Sequence, residues 1–273
     1  MLRMKTETGW WLITHPDHAR LAGEFAAAWG NELFRRPEPR MRVLYGIAAH
    51  DDGWTARDAQ PSITRQGKPS AFSTELVGKY SAFEEIDLVD YLAVRERAVR
   101  IIAEDDPYAG LLIALHTYNL LTAHADRSTI SAEQLPLLDA FLDGQRAYQS
   151  ELRAAIALDS TLSSEEKAAE TIDEHFRLLQ ACDNLSLLTC VDFSAPADLL
   201  HPLPLNDGGT SEVRVMPIGS RYFRLEPWPF EESERVFSFP ARYVEGETFE
   251  SSAELESAYV AAPVQMLSVR LVR

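Results

Sequence analysis

The chain has 273 residues, 46% hydrophobic and 25% charged, with a net charge of −16 at pH 7. That is the make-up of one large globular domain, or of a main domain with an appendage. The charge excludes nucleic acid and anionic membrane surfaces as partners, because both need a basic face to displace counterions; a small-molecule substrate remains compatible with it. No run of about 18 apolar residues predicts a membrane span, and "MLRMKTETGWWLI" has too short an apolar run for a secretion signal. Cys182 and Cys190 lie eight apart on one expected helix, about 12 Å along it and too far for a disulfide. They read as buried thiols in a reducing compartment, which makes the expected setting cytoplasmic.

In chain order, "WWLIT" (10–14) is either a short strand or the entry to the first helix. That helix is expected over 17–34, with Asp17 in its first turn after Pro16 and "RRPEPR" breaking it. A second helix covers 39–51. Residues 52–73 hold two prolines and two glycines with little periodicity, so they read as a long loop of the kind that often serves function. Helices follow over 86–105, 107–126, 131–158 and 163–191, with Ser163 or Ser164 ahead of Glu166 as a cap. Near 195 the texture changes. "SAPADLLHPLPLNDGG" reads as a linker, and short alternating runs at 211–218, 221–230, 235–244 and 264–272 predict a small antiparallel sheet interrupted by a helix at 251–261. The expected organisation is a helical part, 1–195, and a small β-rich part, 196–273, packed on it because so small a sheet is not stable alone.

Four of the helices carry ionisable groups on apolar faces. Counting back from Leu21, Ala22, Phe25 and Trp29 lands on His18. Val43, Leu44 and Ile47 are continued by His50 and Asp51. His116 sits in "AGLLIALHTYNLL", which is apolar almost all round. Asp183 shares a face with Phe176, Leu179, Leu187 and Cys190. A lone buried histidine is more often a hydrogen-bonded core residue than a ligand. A buried carboxylate, however, costs several kcal/mol unless it is paired. The helix dipole could favour His50 at a helix C-terminus but disfavours the acid beside it. Together the groups form a His/carboxylate set suited to a divalent transition metal, which relieves the burial of every member at once.

The order His, His-Asp, distant Asp resembles the HD-domain superfamily of metal-dependent phosphohydrolases. The resemblance implies a mainly α, HD-domain-like bundle with one divalent metal, manganese, iron, zinc or nickel, held by His18, His50, Asp51 and Asp183. The chain is more closely similar to an uncharacterised bacterial family, a domain of unknown function. The motifs are "DHARLAGEFAAAWG", "HDDGWTARDAQPSI" with "GKPSAF", "LHTYNL" and "DNLSLLTC", over roughly residues 10 to 245.

The expected activity is hydrolysis of a small phosphorylated or phosphodiester substrate by metal-activated water. His116 or Asp52 would accept the proton, His116 being preferred because an imidazole titrates near neutral pH. The 52–73 loop would cover the site and bring Trp54, Arg57, Asp58, Arg65 and Lys68 to the substrate. For the cations the competing reading is plain surface charge, for Trp54 packing, and for Asp58 the orienting of a ligand histidine. A second reading is an iron oxygenase with two metals. It needs two more histidines, and His116 and His124, about 80° and 12 Å apart on a helix, do not reach one centre together. His175, eight before Asp183, fails on the same geometry. A third reading is a ligand-binding protein with a structural metal. Ser186, near Asp183, fits no nucleophile motif.

Overall fold

The computed structural model describes residues 1–77, 87–123 and 125–273. Strands β1 (Leu2–Lys5) and β2 (Gly9–Ile13) form a hairpin. Helix α1 (His15–Ala28) follows at once. Its N-cap is Thr14, whose Oγ1 accepts from the Asp17 amide, with Pro16 in the first turn. It stops earlier than the expected 34, because Trp29 is extended and Gly30 has φ +110°, a left-handed position that glycine takes without strain. Helix α2 (Arg40–Ala49) runs into a 3-10 turn (Asp52–Trp54) and a one-turn helix α3 (Thr55–Asp58). Helices α4 (Leu88–Asp105), α5 (Pro107–Ala123), α6 (Leu135–Leu158) and α7 (Ala169–Cys190) complete the helical layer. Ser163 and Glu166 exchange the two bonds of a capping box ahead of α7.

Seven strands form one sheet. Besides β1 and β2 it contains β3 (Ala197–Asp198), β6 (Arg214–Gly219), β7 (Tyr222–Glu226), β8 (Glu234–Glu245) and β9 (Val264–Val272), in the order β1-β2-β8-β9-β7-β6-β3. β4 (Leu203–Pro204) and β5 (Thr210–Ser211) pair separately, and α8 (Ser252–Ala261) links β8 to β9. Along β8 the residues alternate, so Phe237, Phe239 and Ala241 face inward with Leu267, Val269 and Leu271 of β9. This face meets α1, where Phe25 packs edge-on to Phe237 at 4.8 Å. One cluster of buried residues runs continuously from the sheet through α1, α2, α5 and α7.

The mainly α bundle with a small antiparallel sheet, and with it the all-α reading, is therefore corrected. The sheet is large, and it is mixed, because β7 and β9 run parallel. It also draws strands from both ends of the chain, since Gly9 pairs with Glu245 and Leu12 with Arg242. The four- and five-residue strands before α1 carry too few alternations to separate them from a helix entry, and the strand that joins their hairpin to the sheet, β8, lies more than 200 residues away. None of the described helices is long and apolar enough to cross a membrane.

The turn after α2 sets the site. Gly53 lies against the backbone of α4; a Cβ there would overlap the Val94 carbonyl oxygen and stand 2.9 Å from the Ala98 amide. Gly53→Ala is therefore expected to cost about 1–3 kcal/mol through overpacking, read as a lower urea midpoint at unchanged slope.

Candidate metal centre

Four helices bring their ionisable residues to one place. His18 comes from α1, His50 and Asp51 from the end of α2, His116 from the middle of α5 and Asp183 from α7. None is more than 7% exposed. His18, His50 and Asp51 offer ligand atoms within 4.8 Å of one another, and so do His50, His116 and Asp183. These groups could hold a metal ion.

The hydrogen bonds show which atoms face inward. His50 Nδ1–H donates to the Ile47 carbonyl at 2.7 Å, which turns Nε2 into the cluster. That Nε2 is fully buried with no hydrogen-bond partner, 3.4 Å from Asp183 Oδ1 and 3.9 Å from Asp51 Oδ2. Ser186 donates its hydroxyl proton to the Asp183 carbonyl at 2.8 Å, so Oγ accepts Nδ1–H of His18 at 2.9 Å. The bare Nε2 of His18 is then 3.0 Å from Asp51 Oδ2. Two lone pairs so close repel each other unless a cation or a proton lies between them. An ion with bonds of about 2.1 Å separates its ligands by about 3.0 Å at right angles and about 3.4 Å in a tetrahedron. The 3.0 and 3.4 Å pairs match those edges. Ligand imidazoles fixed through their second nitrogen are the usual pattern at such sites.

The electrostatics agree. Burial would raise Asp51, but the Arg95 guanidinium and His50 hold it well below the usual carboxylate range. Burial would also raise Asp183, yet His50, His116 and His18 bring it down to about 2. Burial opposes a charge on His50, but Asp51 and Asp183 outweigh it and lift this histidine to about 9. The pocket thus favours a cation, and a metal would compete with the His50 proton.

His116 lies 3.8 Å by Nε2 from Asp183 Oδ2, and its Nδ1 is buried without a partner. Burial lowers it to about 3, so it is neutral at pH 7. Asp52 turns outward to Arg20 at 3.5 Å, half-buried, with burial raising its pKa. Trp54 is a packing residue: it stacks on His15 at 4.2 Å and meets Tyr91 edge-on at 5.6 Å. Asp58 does not touch a ligand histidine. It pairs with His15 at 3.1 Å and with the Met1 amine at 2.8 Å. Arg57 pairs with Asp90 at 2.8 Å. Lys68 closes a turn on Thr64, whose amide donates to the Lys68 carbonyl at 2.8 Å, while Phe249 donates its amide to Gly67. The end of the 52–73 segment thus runs beside β1, where Leu2 bridges to Phe72. His175 bonds Tyr108 Oη at 2.8 Å and belongs to neither His/Asp group, and His124 lies outside the described residues.

The residues that sequence reasoning missed are Arg95 and the bonding role of Ser186. Arg95, on α4, is 7% exposed; its Nη1 donates to Asp51 Oδ1 at 2.6 Å and its Nε to Tyr91 Oη at 3.2 Å. It occupies the buried stripe of Tyr91, Leu92, Ala98, Val99 and Ile102, the same signal that exposed the histidines.

A family model described as "Protein of unknown function (DUF3891)" matches residues 1–246, from β1 to just past β8. No curated protein and no solved structure matches the chain.

Proposed function

We propose that this chain, which belongs to the DUF3891 family of proteins of unknown function, is a metal-dependent hydrolase acting on a small phosphorylated or phosphodiester substrate. The observation that carries the reading is the buried, unpartnered Nε2 of His50 facing Asp183 and Asp51. The order His18, His50-Asp51, Asp183 is also that of HD-domain phosphohydrolases, and these four residues would hold the metal. A divalent transition metal there supplies a water of lowered pKa and a Lewis-acid contact for a phosphoryl oxygen.

The chain's own residues do the rest. Ile47 and Ser186 fix the two imidazole tautomers. Arg95 turns Asp51 so that Oδ2 faces His18. Of the two proposed proton acceptors, His116 stands inside the cluster, but burial lowers it to about 3, so it is a weak base and does not titrate near neutral pH as expected; Asp52 stands outside the cluster with Arg20. The two free, buried cysteines support the reducing, cytoplasmic setting in which we place the protein.

A structural metal is the second reading, favoured by the low exposure of all five residues; a closed coordination sphere with no exchangeable position is its mark. The test is a screen of phosphomonoesters and phosphodiesters run beside oxygen uptake, with metal added back to chelated protein. Metal-dependent hydrolysis without oxygen uptake is expected. Oxygen consumption would replace the hydrolase with an oxygenase, and silence in both arms with full metal occupancy would leave the structural reading.

A further inference from the structure

Arg95 gives the centre a charge that the metal alone does not balance. Asp51 and Asp183 contribute two negative charges, and the histidines are neutral when they offer lone pairs. Those two carboxylates would by themselves neutralise a divalent ion, and a neutral water could complete its shell. Arg95 adds one permanent positive charge, since a guanidinium does not deprotonate in proteins. Among the described residues it is the cation that ion-pairs with the Asp51–Asp183 set, at 2.6 Å from Asp51. Nor can it swing away. Its Nε is held by Tyr91 Oη, and the guanidinium carbon lies 5.3 Å from the ring centres of both Trp54 and Tyr91. The loaded centre therefore carries one net positive charge in a shell that is almost closed to water, and an uncompensated buried charge is costly.

We propose that Arg95 makes the loaded centre an anion site, so that it draws a phosphate-type oxyanion to the metal beside the water that the hydrolysis uses. The inference rests on the metal reading above and adds to it the residue that decides the charge of the substrate. Arg95 achieves this without leaving Asp51: by taking Oδ1 it leaves Oδ2 for the metal, and its charge is felt across a few ångströms of low-dielectric interior.

The test uses the full chain, loaded with Mn(II) and titrated at pH 7 with inorganic phosphate in a calorimeter. The loaded wild type is expected to bind one phosphate per chain, and the chelated wild type none. With Mn(II) held at a saturating concentration to offset the weaker metal binding that loss of an Asp51 partner brings, Arg95→Met is expected to lose phosphate affinity by at least about tenfold, while Arg95→Lys, which keeps the charge but not the fork of bonds, loses less than Arg95→Met. A further measurement needs no variant: by linkage, saturating phosphate must tighten Mn(II) binding to the wild type by the factor by which Mn(II) tightens phosphate. Loaded wild type that ignores phosphate, or Arg95→Met that binds it as tightly as wild type, overturns the role given to Arg95 and leaves the metal site standing. Wild type that takes up no Mn(II), Fe(II), Zn(II) or Ni(II) overturns the metal reading itself, and the role of Arg95 with it.

Discussion

Asp183→Ala is expected to strip the chain of its metal. Among the described residues Asp183 is the one carboxylate facing three imidazoles, with oxygens 3.4 Å from His50 Nε2, 3.7 Å from His18 Nδ1 and 3.8 Å from His116 Nε2. The substitution removes a ligand atom, and it also removes one of the two negative charges that draw a cation into the pocket. Loss of an outer partner alone typically costs 10–100-fold in metal affinity. Loss of this ligand should exceed about 100-fold, enough to leave purified protein empty. Asp183→Asn keeps the shape, the bonding capacity and the backbone carbonyl that Ser186 uses, so it separates charge from packing. Metal content by elemental analysis and the melting temperature check both variants. A variant that retains its metal and melts like the wild type removes Asp183 from the ligand set.

Asp51→Ala acts differently, because its damage should appear even in metal-free protein. Arg95 is held at 2.6 Å by Asp51 and is 7% exposed. Removing the acid leaves a guanidinium buried with no opposite charge, a change that costs about 3–5 kcal/mol. Replacing both partners by apolar groups of similar volume relieves most of that cost. In chelator, urea unfolding should therefore rank the wild type and Asp51→Ala/Arg95→Met close together and Asp51→Ala alone well below them. The coupling in this cycle measures the ion pair apart from any metal. A single-variant loss under about 1 kcal/mol would mean that water reaches Arg95, and the closed, low-dielectric centre would have to be abandoned.

The centre was readable from sequence to the extent that it breaks a local rule. A helix face repeats every three to four residues, so an imidazole or carboxylate on an apolar stripe stands out wherever it lies, and His18, His50, Asp51, His116 and Asp183 were all visible this way. In the structure they fall into two groups of three, His18, His50 and Asp51, and His50, His116 and Asp183, which share His50. Arg95 breaks the same rule, but it is embedded in "VRERAVR", where Glu96, Arg97 and Arg100 make the segment look like a solvated face. Its partner is on another helix, and no spacing within the chain announces that pairing. Asp58 and Lys68 went to other places for the same reason. The loop that carries them is rich in turn residues, which shows where the chain bends but not which surface it follows. Contacts such as Leu2 with Phe72 and Phe249 with Gly67 decide that its end lies along β1 and its turn against the segment after β8.

The sheet was underread because pairing is not local. Alternation marked the strands after residue 210, yet it says nothing of their order. β9 inserts between β8 and β7, antiparallel to one and parallel to the other. The hairpin of β1 and β2 closes the other edge only because β8 is long enough to pair with β9 along its whole length and with β2 at its far end. That long strand packs against α1, the helix that carries His18, through Phe237 and Phe25.

Metal content bears most directly on all of this. Protein purified without chelator is expected to contain about one transition metal per chain, because Nε2 of His18 and of His50 face the carboxylates of Asp51 and Asp183 at 3.0 and 3.4 Å. After chelation, adding back the right ion should raise the melting temperature, with a stabilisation of about 4 kcal/mol at a free metal concentration near 1,000 times Kd. A chain that is metal-free as purified, and that gains no thermal stability from manganese, iron, zinc or nickel, would contradict the account.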